Sequence, residues 1–289
     1  MFQQLINGIT IGSLYALIAI GLTMVYGILR ILHIAHAAVF VSGAYLGLLA
    51  YTYSHNLILT LFVAAAGCCV FGWIIQRFLY TPLLKEERIV PLIASVGLYI
   101  FCEDLFRLVG GPYIRAFTVK FWFEKVVFWD TVITAQQLLI IFTTAACLGV
   151  VYLIISQTKL GLAWQATAQD MDTAKAMGVN VKQVVNFNFL IASSVAAIAG
   201  VLTAINYNSV LPTMGSVPAY KMFAIVVLGG MGSIPGTIAA GLIIGMAETI
   251  MSAYFGFIMP RDAIAFSVMI LILIFRPEGL FGVAFEEER

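Results

Sequence analysis

The sequence predicts an all-α integral membrane protein: a polytopic bundle of about eight hydrophobic segments, with a broken or re-entrant helix pair near the C-terminus. Two observations predict it. Of the 289 residues, 62% are hydrophobic and only 10% are charged, where a soluble domain carries about 45–50% and about 25%. The apolar residues also fall into runs of bilayer-crossing length, joined by short polar connections. So few charges cannot hide so much apolar surface from water, and lipid is therefore the solvent for most of the chain. The whole of 1–289 reads as one transmembrane domain. A formal net charge of +1 argues against a nucleic-acid partner, which needs a basic patch. Cys68, Cys69, Cys102 and Cys147 lie inside apolar runs without paired spacing, so neither a disulfide framework nor a metal site is expected. The N-terminus lacks the basic region of a cleavable signal peptide.

The runs follow in order: Asn7–Leu29, Ala37–Tyr53, Leu57–Leu79, Val90–Leu108, Ala135–Ile155, Val184–Ile205, Met222–Phe257 and a last run ending at Phe275. A crossing helix needs about 20 residues, so the start of the last run must include Met259–Asp262, with Arg261 snorkelling to the interface. Met222–Phe257 is too long for one straight span. It is interrupted by Gly229, Gly230, Gly232, Pro235 and Gly236, which do not continue a helix. Broken backbone at membrane depth belongs where protein or a water-filled cavity receives it, and such helices line transport routes. A plain turn outside the membrane, joining two shorter helices, is the competing reading.

Between the spans, Tyr80–Ile89 is charged, and Gly110–Thr134 sets Trp122, Phe123, Phe128 and Trp129 among charges, as at a membrane interface. Gln157–Gln183 forms the longest polar connection. Leu160, Ala163, Trp164, Ala168 and Met171 make a helical stripe there, and a second short helix over Ala174–Met177 ends in a glycine cap at Gly178. Such a two-helix elbow suits docking of a soluble protein, or is an ordinary surface loop. Asn206–Lys221 reads as a loop. If the first run enters from outside and Met222–Phe257 returns as a hairpin, nine Lys and Arg fall on the face of the elbow and six on the other. The elbow is then cytoplasmic. Gly8/Gly12, Gly43/Gly47 and Gly241/Gly245 have the small-residue spacing that lets helix backbones approach.

No stretch reads G-x-x-x-x-G-K-[ST], and no hydrolase or zinc-protease motif occurs, so energy must come from a partner or a gradient. Ionisable groups inside the runs are costly and therefore functional candidates. Glu248 is one, either lining or gating a pathway or gluing helices by a hydrogen bond. His33 and His36, where the first two segments meet, are others, with a backbone-bonded helix end as the alternative for His36. Glu103, Asp104 and Arg107 read as a local ion pair. The translocation-pathway candidates are thus His36, Gly229, Gly230, Gly232, Gly236 and Glu248.

Three stretches together resemble the permeases of the branched-chain amino acid ABC importer family, which also includes urea and short-chain amide importers. They are Asn7–Gly21 running on to Met24–Gly27, then Gly161 through Asp170 to Val179, and Val227–Gly236 with Gly245–Glu248 behind it. The resemblance covers nearly the whole chain. It implies a bacterial cytoplasmic-membrane subunit that works beside a second homologous permease, two ATPase subunits and an extracytoplasmic substrate-binding protein. No cofactor is expected in this chain, since ATP and magnesium would belong to the ATPases. It makes Gly161, Gln169, Asp170, Ala174 and Gly178 the ATPase-coupling elbow. The sequence departs from the family at His33–Ala38, where Asn-Phe-Ala-His-Gly-Glu is usual, and in the elbow, which lacks the usual arginine and the acid before Asp170. A gradient-driven transporter or channel for a small polar solute is the rival reading, and an intramembrane enzyme a weaker one.

Overall fold

A computed structural model describes residues 2–84, 86–121, 125–128, 131–256, 260–276 and 278–282. Lys85, Trp122, Phe123, Trp129, Phe257, Met259 and Arg289, which entered the reading of the connections, the last two runs and the charge balance, lie outside the described residues. The long helices are α1 (Phe2–Leu29), α2 (His36–Ser54), α3 (Leu57–Ile74), α5 (Ile89–Gly110), α6 (Ala135–Gln157), α9 (Val181–Asn206) and α11 (Ile234–Phe255). A π-helical turn (Ile75–Tyr80) and the short α4 (Thr81–Leu83) extend α3, making one span of Leu57–Leu83. Among the described residues seven helices are long and apolar enough to cross a bilayer. The count differs from eight because the last run is the 15-residue α12 (Arg261–Phe275), whereas Met222–Phe257 divides into α10 (Ser216–Gly229) and α11 and still supplies one span.

Polar caps start several of these helices where their first N–H groups lack partners. Asn56 Oδ1 accepts from the Ile58 and Leu59 amides, and Thr134 and Gln137 form a reciprocal capping box at α6. The elbow is α7 (Lys159–Gln169) and α8 (Met171–Ala176), capped by Thr158 and Asp170. α8 ends as the sequence predicts: Gly178 has φ +88°, its amide bonds Lys175 O, and the Val179 amide bonds Ala174 O. That is a Schellman motif, with glycine in the left-handed position.

Helix α1 is 83% buried over its apolar window and α9 72%, whereas α5 and α6 are 17% buried. α1 and α9 are therefore the axis of the bundle, and α5 and α6 present their sides to lipid or a partner. Lipid removes the hydrophobic drive between helices, so close backbone packing must hold them. The glycine spacings supply it. A Cβ on Gly12 would meet Leu242 Cα at 2.8 Å, one on Gly241 Ala16 N at 2.7 Å, and one on Gly8 Met246 Cα at 2.9 Å. Gly245 abuts Gly12 itself, Gly43 abuts Ala197 of α9, and Gly47 abuts Val201. The buried Thr23 and Thr237 hydroxyls bond across the same α1–α11 seam at 2.7 Å.

Chain direction puts the elbow, the end of α1 and the α10–α11 turn on one side, called the elbow face. On the opposite, far face, β1 (Arg115–Ala116) pairs with β4 (Ser209–Val210), and β2 (Lys125–Phe128) with β3 (Thr131–Thr134). Gln3 binds the Val132 backbone, and Gln136 bonds Asn208 there. The Asn206–Lys221 loop is shorter than expected, because a 3₁₀ turn at Pro212–Gly215 leads into α10 at Ser216. The seam makes opposite predictions for two glycines in helix interiors. Gly245→Leu should lower stability in detergent by about 1–3 kcal/mol through overpacking. Gly97→Ala, where a Cβ meets nothing within 4 Å, should raise it by up to about 1 kcal/mol. Unfolding midpoints that move the same way for both would contradict the packing.

Candidate functional site: the two ends of the α10–α11 hairpin

Helices α10 and α11 run antiparallel from a turn at 230–233. At its base Gly229 and Gly236 are in backbone contact, which leaves no room for a side chain on either. Gly230 has φ +96° and packs on Gly282, and Gly232 has φ +91°. The Leu280 and Phe281 amides donate to the carbonyls of Leu228 and Gly229 at 2.7 and 3.1 Å. Of the two settings open to this broken backbone, protein or a water-filled cavity, the structure shows protein at this point: the C-terminal segment covers the end of α10. Gly232 alone of the four lines a space, a cleft of about 490 Å³ on the elbow face.

That cleft joins the turn to the elbow. Gln165 and Gln169 of α7 line one side, Met231 and Ser233 another, and Gly27 and Arg30 of α1 form the roof between them. Trp164 is the fastening. Its Nε1 donates to Asn188 Oδ1 of α9 at 2.9 Å, and Asn188 Nδ2 donates to Met24 O of α1 at 2.9 Å. Gly27 permits this approach, since a Cβ there would meet the Trp164 ring at 3.1 Å. Gly161 is pressed onto the Ile155 carbonyl, so only glycine fits the corner between α6 and α7. Asp170 accepts from the Thr173 amide, and that bond holds its exposed carboxyl below the usual aspartate range. Ala174 is buried under α8, whereas Leu162 and Met177 are among the most exposed apolar residues, at 68% and 82%. The predicted stripe thus holds at Trp164 and, in part, at Ala163, Ala168 and Met171, but Leu160 stays exposed.

The other end of the hairpin carries the charge. Lys221 and Glu248 are 3% and 4% exposed. Lys221 Nζ donates to Glu248 Oε2 at 2.8 Å, to Asp262 Oδ1 at 2.9 Å and to the Tyr15 hydroxyl at 2.7 Å. Tyr15 donates to Glu248 at 3.0 Å, and the Tyr220 hydroxyl to the second Asp262 oxygen at 3.0 Å. All three ammonium protons are used, and α1, α10, α11 and α12 meet at one point. A lysine left alone at the bilayer centre would cost about 2.5–3.5 kcal/mol on insertion scales.

Glu248 was legible in the sequence as a costly buried acid, but Lys221 was assigned to a loop and to the far-face charge balance. Its signal lay in the hairpin register. Counting from the Gly229–Gly236 contact, Lys221 is eight residues back and Glu248 twelve forward, a one-turn offset that side chains bridge. His36, by contrast, is fully buried against Gly21. His33 lies 5.6 Å from it, and its Nδ1 sits 2.7 Å from the Tyr80 hydroxyl, which the π-helical turn aims inward. Burial holds the His33 imidazole well below its usual pKa, hence neutral. Arg107 pairs with Glu103 and Asp104 as expected.

Breaking the network should cost more than removing it. Lys221→Met leaves Glu248 and half-exposed Asp262 unpaired and should destabilise the protein by about 3–5 kcal/mol. Lys221→Met combined with Glu248→Gln should recover part of that loss, because the buried unpaired anion is gone. Additive losses in a double-mutant cycle of unfolding midpoints would contradict the geometry.

Comparisons with known proteins show the family of the chain. Residues 4–275 match the family model described as branched-chain amino acid transport system / permease component. The chain is 36% identical over 293 residues to the high-affinity branched-chain amino acid transport system permease protein BraD of Pseudomonas aeruginosa, covering 97% of this chain and 95% of that one. It is 35% identical to LivH of Escherichia coli K12 with the same coverage, and 24% identical to LivM of the same organism, over 94% of this chain and 68% of that one. Among solved structures, an inward-facing metal-chelate type ABC transporter matches with a TM-score of 0.49 and 16% identity over 93% of this chain and 85% of the other, a likeness too distant to carry an argument. The chain, a multi-pass membrane protein, belongs to the branched-chain amino acid transport system permease family.

Proposed function

We propose that this chain is the membrane-spanning subunit of a binding-protein-dependent ABC importer, admitting a branched-chain or related amino acid to the cytoplasm by alternating access. The observation that carries the reading is the cleft where the elbow, the end of α1 and the turn of the α10–α11 hairpin meet. A push on exposed Leu162 and Met177 is transmitted through Trp164 and Asn188 into α1 and α9, the two most buried spans. Of the two, α1 carries the hairpin through the glycine seam, so motion at the elbow face reaches the Lys221 network at the far face.

In this reading the elbow face is cytoplasmic and the membrane is the bacterial cytoplasmic membrane. Two ATPase subunits dock at the elbow and hydrolyse ATP with its magnesium, and an extracytoplasmic protein delivers substrate to the far face. The similarity of the chain to both LivH and LivM, two permease proteins of one organism, supports a second homologous permease as its neighbour. Buried, paired Glu248 supports a packing and gating role better than a proton relay, which needs a carboxylate free to exchange.

The reconstituted complex should import leucine with ATP supplied to the cytoplasmic side, and dissipating the proton gradient at constant ATP should leave uptake unchanged. Uptake by the isolated chain driven by a proton gradient would establish the gradient-driven rival instead. A second outcome concerns the elbow. Gly178→Val strains the left-handed cap by about 1–3 kcal/mol and should reduce uptake per ATP hydrolysed, while Gly178→Asn, which tolerates that conformation, keeps it. Equal coupling in both variants would remove Gly178 from the coupling elbow.

A further inference from the structure

A separate cavity of about 370 Å³ opens beside the ion network on the far face. Leu14 and Ile18 of α1 and Phe40 of α2 form its floor and are at most 4% exposed. Met214 and Val217, at the entry to α10, form its outer wall. The floor lies inside the bundle, between the most buried span and its neighbours, and not on the lipid-facing sides of α5 and α6. Tyr207 and Ser209, at the far-face end of α9, also line it. Its volume lies in the range of small-molecule sites, about 300–1,000 Å³, and its lining is mostly apolar with a few hydroxyl-bearing residues.

The polar end is Tyr15. Its ring lines the cavity, while its hydroxyl accepts from Lys221 and donates to Glu248. One hydroxyl thus separates the apolar walls from a cation and an anion held side by side. Thr203 and Ser209 add hydroxyls to the rim.

We infer that this far-face cavity is a substrate subsite: it takes the aliphatic side chain of the amino acid against the apolar walls of Leu14, Ile18, Phe40, Met214 and Val217. The inference rests on the importer reading above and adds where the substrate is recognised and by which residues. Met214 and Val217 set the size limit, because they stand opposite the fixed floor. Occupancy also touches Tyr15, the residue that completes the ion network.

The test is binding of radiolabelled leucine to the purified complex of permeases and ATPases with the substrate-binding protein omitted, so that its selectivity does not enter. The wild-type complex should bind leucine saturably. Val217→Trp, which fills the cavity, should weaken binding by about tenfold or more, the scale on which apolar pockets sense a change in size. Met214→Ala, which enlarges it, should shift preference from leucine toward phenylalanine, and it decides the matter if the tryptophan variant does not assemble. Absence of saturable leucine binding, or unchanged affinity and preference in the assembled variants, overturns the subsite. If the intact system with its binding protein still imports leucine on ATP in that case, the importer reading stands. If wild type imports no leucine at all, it is the importer reading that has failed.

Discussion

Gly12 of α1 and Gly245 of α11 lie in backbone contact, and most of the remaining architecture depends on that approach. In lipid, apolar side chains gain little by leaving their surroundings for one another, so association comes from dispersion between closely fitted surfaces and from polar bonds across them. Gly8, Gly12, Gly241 and Gly245 form such a surface, which Thr23 and Thr237 pin with a buried hydroxyl pair. Once α11 is fixed antiparallel to α1, the short α10 must run back beside α11. The turn between them must then lie level with Gly27, at the end of α1 where the elbow also attaches.

The hairpin so placed has different physics at its two ends. Near the elbow it is bare backbone: Gly229 against Gly236, Gly230 under Gly282, and carbonyls satisfied by the C-terminal segment. Such a junction has small side chains and hydrogen bonds that can re-form in another arrangement. Roughly 12 Å up α10, at 1.5 Å per residue, Lys221 is locked by three partners on three helices. A buried, fully satisfied charge network contributes little net stability but tolerates few alternative geometries. The bare-backbone end therefore lies at the elbow face and the charged end at the far face.

Much of this was legible in the sequence where the determining chemistry is local. Six of the spans follow from hydropathy alone, the glycine pairs from their spacing, and the Gly178 cap from a short helix ending at glycine. The Glu103–Arg107 pair follows from helical neighbours. What escaped depends on contacts between residues distant in sequence. Lys221 lies beside a proline-containing loop and reads as surface charge until Glu248 and Asp262 are brought to it from 27 and 41 residues away. The β1–β4 pairing joins Arg115 to Val210, and two-residue strands have no periodicity to detect. Trp164 was visible as part of a helical stripe, but its role became clear only when Asn188 and Met24 were seen to receive it. His36 shows the reverse: a histidine beside a span invites a functional reading, and packing against Gly21 encloses it.

The face on which the α10–α11 turn lies decides whether the elbow and the broken helix can act together. Single cysteines at Met231, Lys175 and Lys120, in a protein lacking the four native cysteines, measure it through labelling by a membrane-impermeant maleimide on intact spheroplasts and on inverted vesicles. The account predicts that Met231 and Lys175 react only in inverted vesicles, and Lys120 only in spheroplasts. Labelling of Met231 in intact spheroplasts while Lys175 stays protected would put the turn and the elbow on opposite faces, and the coupling described above would have no structural basis.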